Sequence, residues 1–112
     1  LGGEGNRLRN YVVISTKRNQ AFSTSEKQIV KNIFDAVSQK LDSQIEKITF
    51  NKTFALIKML VSVNVAIGEV IDKGIIACNK KKQILRFHYF AINTKRPSKK
   101  DIEEYLQEIE SL

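Results

Sequence analysis

The sequence predicts an α/β protein, a small two-layer sandwich with a β-α-β-α-β-β core and an additional acidic helix at the C-terminus. Two observations carry that expectation. Two segments begin with a helix-start signature and continue with apolar residues every three or four positions, and β-branched and aromatic runs separate them. The size agrees, because 112 residues with 42% hydrophobic content fill one core and fold without staples. Residues 11–112 read as a single domain with no low-complexity linker and no internal repeat. Residues 1–10 read as a basic N-terminal arm or an expression remnant, and the opening "LGGEG" is given no role.

Taken in order, "YVVIST" (Tyr11 to Thr16) is β-branched and aromatic, as strands are. "STSE" (Ser23 to Glu26) has capping-box spacing, with Ser23 as the cap and Glu26 at the third helical position. Ile29, Val30, Ile33, Phe34, Val37 and Leu41 follow at helical spacing and predict an amphipathic helix with a wide apolar face. "EKITF" (Glu46 to Phe50) predicts a second strand.

The next segment admits two structures. In "LVSVNVAIG", Val61, Val63, Val65 and Ile67 alternate with Ser62, Asn64 and Ala66, which fits a strand. A helix from about Thr53 to Lys73 gathers Lys58, Ser62, Glu69 and Asp72 on one narrow stripe and leaves the rest apolar. The helix is favoured, because a single strand of that length without a turn signal is unusual. Gly74 would close it. "IIACN" and "QILRFHYFAI" then flank "KKK" as a hairpin or as two strands joined by a basic connector. In the last segment Ser98 caps and Asp101 follows three residues later, with Ile102, Tyr105, Leu106 and Ile109 as the apolar face. The simplest packing covers one face of the sheet with the helices.

Charge is laid out in blocks. The chain carries 19 Lys and Arg against 12 Asp and Glu, a net +7 that favours an anionic partner, of which nucleic acid is the commonest. Arg7, Arg9, Lys17 and Arg18 lie near the start. Lys80, Lys81, Lys82, Arg86, Lys95 and Arg96, followed by Lys99 and Lys100, lie between residues 74 and 100, where there is no acid. Isolated surface lysines solubilise and discourage edge pairing. Four separate clusters of them, with Arg86 and His88 alternating with Leu85, Phe87 and Tyr89 along a strand, point further. Basic loops converging on one face would contact RNA or DNA backbone with little sequence preference. Tyr11, Phe87, Tyr89 and Phe90 are candidate stacking residues, although strand aromatics ordinarily fill a core. The acidic last helix would pack aside or meet a protein.

Catalytic motifs are missing from the sequence. There is no HExxH, no CxxC and no glycine-rich phosphate loop. Cys78 and His88 are single, so no thiolate metal cage or intrachain disulfide forms, and Cys78 reads as a small buried hydrophobe. Glu69 and Asp72 share a helix face, which a solvated edge explains without a metal. The expectation is a protein that is not an enzyme, with no cofactor and no metal. "FALIKMLVSVNVAIG" is broken by Lys58, Ser62 and Asn64 and is too polar and short for a membrane span. The lone cysteine fits an intracellular compartment, cytoplasmic or nuclear/nucleoid alike.

"YVVISTKRN", a β-branched strand followed by Lys17 and Arg18, resembles the first strand and basic pair of the Alba nucleic-acid-binding proteins. "VAIGEVIDKG" (Val65 to Gly74) is similar to the end of that family's second helix, and "NKKKQ" (Asn79 to Gln83) would be the tip of its hairpin. The resemblance implies a β-α-β-α-β-β order, dimerisation, and binding through the basic loop and hairpin arm. The chain departs from the family at "FNKTFALIK", which lacks the usual glycine-containing basic segment, and in its acidic C-terminal helix. The functional expectation is therefore non-catalytic binding of RNA or DNA, with RNA or single strands slightly favoured over duplex DNA by the sheet aromatics, and with a homodimer or a protein partner as the further options. The alternative is a protein–protein interaction or assembly subunit using the apolar second helix and the acidic last one.

Overall fold

The structure is a computed structural model and describes residues 7–17, 20–93 and 95–111. The elements are β1 (Arg7–Thr16), α1 (Thr24–Lys40), β2 (Gln44–Phe50), β3 (Phe54–Ser62), α2 (Ile67–Lys81), β4 (Leu85–Ile92) and α3 (Lys99–Glu110). The four strands form one antiparallel sheet in the order β2-β3-β1-β4. The α/β class is as expected, but the order is β-α-β-β-α-β plus α3, two split β-α-β units of the ferredoxin-like kind.

The difference arises at residues 54–67. Phe54–Ser62 is a strand, paired with β1 on one side and β2 on the other. Ala55, Ile57, Met59 and Val61 face α1 and α2, while Phe54 and Leu56 face α3. A strand apolar on both faces loses its alternation and reads as a buried helix. The turn signal was Ser62 and Asn64: the Val65 N–H donates to the Ser62 carbonyl at 3.1 Å, and the Asn64 N–H donates to Ser62 Oγ at 3.2 Å.

The expected basic hairpin is likewise replaced. Ile75–Asn79 is helical, Lys80 and Lys81 form the last turn of α2, and Lys82 is its C-cap. Cations at that end complement the helix dipole. Buried Asn79 fixes the turn into β4: its Oδ1 accepts from the N–H groups of Ile84 (3.0 Å) and Leu85 (2.9 Å), and its Nδ2 donates to the Leu85 carbonyl (2.9 Å). Gly74 lies inside α2 and does not end it. An ideal Cβ there would stand 2.6 Å from Cε1 of the buried Phe34 ring, so glycine is what lets α1 and α2 approach.

Both capping boxes are present. Ser23 Oγ accepts from the Glu26 N–H at 3.1 Å, and Glu26 Oε1 accepts from the Ser23 N–H at 2.8 Å. That hydrogen bond, with a smaller contribution from Lys82, holds the Glu26 carboxyl below its ordinary range. Ser98 and Asp101 repeat the arrangement at 3.1 and 2.9 Å.

The helices divide between the two faces of the sheet, contrary to the one-sided packing expected. α1 and α2 bury Val30, Phe34, Val70, Ile71 and Ile75 against Val12, Ile14 and Ile57. α3 buries Tyr105 and Ile109 on the opposite face, against Val13 and Leu56. Among the described residues, no helix is long and apolar enough to cross a membrane.

Gly74→Ala gains about 1 kcal/mol of helix propensity but drives a methyl group into the Phe34 ring, an overpacking of about 1–3 kcal/mol. A net loss of stability is expected in urea unfolding; a gain would show that α1 and α2 can move apart freely.

Candidate nucleic-acid interface

The basic residues singled out by sequence do not share one surface. Arg7 and Lys17 sit at opposite ends of β1, ten residues and therefore about 33 Å apart. Arg7 Nη2 meets Asp42 Oδ1 at 3.1 Å, and its Nε donates to the Asp42 carbonyl at 3.0 Å. Arg9 holds Glu46 with two bonds, 2.9 and 3.2 Å, which raise the arginine's pKa and depress the carboxylate's. Lys17 Nζ donates to Gln83 Oε1, and Lys82 Nζ meets Glu26 Oε2 at 3.1 Å. Lys80 and Lys81 are exposed on the end of α2, near Lys17 in the fold. Arg18 lies outside the described residues.

Arg86 does structural work. Its Nε donates to the Thr16 carbonyl at 3.1 Å and its Nη1 to the Ile109 carbonyl at 3.3 Å, joining β1 to the end of α3. Phe87 is exposed on the edge strand, whereas Tyr89 packs toward α2 and Phe90 stacks on Tyr105 at 6.2 Å between centroids.

Lys95 and Arg96 are exposed between β4 and α3. Arg96 reaches a surface that sequence reasoning did not find. α3 covers only part of its face of the sheet, and beside it lie Tyr11, Lys47, Thr49, Leu56, Lys58 and Arg96. Tyr11 and Lys47 are both direct cross-strand neighbours of Lys58. A register shift between Ile45 and Lys47 creates this pair: Ile45 and Ile48 both pack toward α1 and α2, so the two residues between them are left off that core. Glu46 thereby meets Arg9 and Lys47 stands opposite Lys58. Bulges commonly re-aim side chains in this way. Among the described residues, neither lysine has an ion pair, although Glu46 lies close enough to feel Lys58.

Tyr105 occupies the covered part of the face. Its hydroxyl donates to the His88 carbonyl at 2.6 Å, which leaves the Ser15 hydroxyl, 3.2 Å away, as donor to it. Burial pushes the phenol's pKa up, with Ser15 and Arg86 opposing. The mouth beside it, about 240 Å³, is lined by His88, Asp101, Glu104 and Glu108. No three His, Cys, Asp or Glu side chains among the described residues gather where they could hold a metal. Cys78 is buried in α2, which pushes its thiol up to about 12.

No family model matches the chain, and no curated protein matches it. Solved structures do. A protein from Deinococcus radiodurans, provisionally assigned as a transposase, superposes with a TM-score of 0.71 at 12% identity over 94% of this chain and 90% of its own. A REP-associated tyrosine transposase bound to a REP hairpin superposes with a TM-score of 0.57 at 12% identity over 88% of this chain, which spans 61% of that one. The chain shares their fold. The expectation of a protein that is not an enzyme is corrected here, because these two structures that share its fold are described as transposases, which are enzymes. The missing sequence motifs carried that expectation, and motifs belong to particular families, whereas a fold admits chemistry whose residues are scattered along the chain.

The signal for the missed pair was a single cation inside each of two strands, Lys47 in "EKITF" and Lys58 in "FALIKML". Like charges directly opposite on neighbouring strands are destabilising, and removing one relieves a few tenths to about 1 kcal/mol. Lys58→Met is therefore expected to raise the urea midpoint without changing the slope; a lowered midpoint would mean that Lys58 has a stabilising partner.

Proposed function

We propose that the chain is a DNA-handling domain of the transposase type. The observation that carries this is the fold, shared over 94% of the chain with one transposase-assigned protein and over 88% with a tyrosine transposase bound to a REP hairpin. The net charge of +7 suits a polyanion. Those two neighbours favour DNA over RNA, and leave standing the preference for single strands that the sheet aromatics suggested.

For strand chemistry the candidate nucleophile is Tyr105, the one of the three tyrosines buried at a cavity that carboxylates and His88 also line. In such a step the phenolic oxygen attacks a backbone phosphorus. An O–P bond to the tyrosine forms, the bond to one strand's sugar oxygen breaks, and that oxygen leaves as a hydroxyl after taking up a proton. The phenol's own proton passes to a base, for which His88 and the three nearby carboxylates are placed. In the present arrangement that proton is held on the His88 carbonyl and burial disfavours the phenolate, so attack requires Tyr105 to leave this bond.

The test is a labelled DNA hairpin incubated with protein and followed in two ways. Equilibrium binding is expected to weaken steeply with salt and to survive Tyr105→Phe. A denaturing gel is expected to show a covalent protein–DNA band with the wild type and none with Tyr105→Phe. Absence of binding at low salt would overturn the DNA reading, and an adduct that persists in Tyr105→Phe would remove Tyr105 from the chemistry.

A further inference from the structure

We propose that the part of the sheet left open beside α3 is a groove for unpaired nucleotides of a DNA strand, with Lys47, Lys58 and Arg96 taking the phosphates. This rests on the DNA reading above and names the surface and the form of DNA that the reading leaves open.

The groove is made of two adjoining depressions. The small depression around Tyr11, Lys47 and Lys58 shares Thr49, Leu56 and Arg96 with a cavity of about 470 Å³ that runs under the start of α3. Its floor is apolar, made by Phe54, Leu56, Ile102 and Leu106. Its rim is cationic, with Arg96 and Lys99 on one side and Lys47 and Lys58 on the other. The carboxylates facing it are Glu103, on the wall of the larger cavity, and Glu46, which Arg9 already engages.

Three features of the chain are unfavourable without an anion and favourable with one. The β2 register shift sets Lys47 against Lys58. Lys58 is half-buried and has no ion pair among the described residues. Arg96, Lys99 and Lys100 crowd the N-terminal, positive end of α3, where cations oppose the helix dipole and where Asp101, which feels Lys95 and Lys100, is the one acid of the first turn. A phosphate placed among Lys47, Lys58 and Arg96, which line one depression, offsets the repulsion between the two lysines and gives Lys58 a counter-ion.

The apolar floor selects among polyanions. Bases have flat apolar faces that rest on such a surface, and Tyr11 at the groove's end offers a ring beside the cations. The volume falls in the range of pockets that take small molecules, enough for a nucleotide or two. In a duplex the base faces are stacked on the neighbouring pairs and cannot use that floor. An acidic peptide would meet the cations and leave the floor without a flat partner.

Fluorescence anisotropy with labelled single-stranded oligothymidylate tests this at several salt concentrations. The groove variant Lys47→Gln/Lys58→Met/Arg96→Gln is compared with Lys27→Gln/Lys31→Gln/Lys40→Gln on α1, which makes the same charge change on the other face of the sheet. The groove variant is expected to bind roughly tenfold or more weakly, with its log–log salt slope reduced by about 2, from three lost contacts at about 0.7 each. The α1 variant is expected to stay within about twofold of wild type. Equal losses in both variants would reduce the effect to net charge and overturn the groove. Wild-type binding by the groove variant would overturn the groove and leave the DNA reading standing. No binding of any DNA by the wild type would end both. Poly-glutamate binding as tightly as the oligonucleotide, and losing affinity in the same variant, would overturn the choice of nucleotides. Thermal unfolding checks each variant, and Arg96→Gln, an exposed single change, is read if the triple does not fold, with a loss of about twofold or more expected.

Discussion

A four-stranded sheet has two faces to cover, and this chain covers them unequally. α1 and α2 lie side by side on one face, brought close by Gly74 against Phe34. The other face has only α3, a helix of 12 residues, and it does not reach across all four strands. It is anchored toward β1 and β4 by Tyr105, Ile109 and the Arg86 guanidinium. What remains open lies toward β2 and β3, and that remainder carries Lys47, Lys58 and Tyr11. The placement of α3 therefore determines both the covered tyrosine and the open cationic surface.

The two regions have different physical characters. Around Tyr105 the surroundings are buried and acidic, and its hydroxyl serves structure by capping the His88 carbonyl at 2.6 Å. Around Lys58 they are cationic and partly open, with an apolar floor leading under α3. Arg96 and Pro97, at the start of α3, line the second of these regions. A strand bound in the groove would thus run along the same face of the sheet that holds the candidate nucleophile. Binding and chemistry on one face is the economical arrangement for a protein that handles one long polyanion.

Much of the fold was legible, because capping boxes and helical periodicity are local. Ser23 with Glu26 and Ser98 with Asp101 marked two helix starts, and both form as the spacing implied. β3 was not legible. Its alternation is erased by burial on both faces, and whether a strand is covered once or twice depends on where a helix 40 residues later in the chain packs. The "KKK" turn failed for a related reason: Asn79 makes its three bonds to residues whose positions follow from the tertiary fold. Of the site, Arg96 and Lys99 were picked out by charge density. Lys47 and Lys58 were not, since each is a lone cation in an apolar run and only strand pairing makes them neighbours. Arg7, Arg9 and Lys82 look free in a sequence and are paired in the structure, with acids 35, 37 and 56 residues away.

The most direct measurement is the map of backbone amide chemical shifts as single-stranded DNA is added to the labelled protein. Perturbations are predicted at Lys47, Thr49, Lys58, Arg96 and the first turn of α3, with α1 unmoved. Perturbations confined to α1, or to the end of α2 around Lys80 to Lys82, would contradict the assignment of the open half of the sheet as the DNA surface.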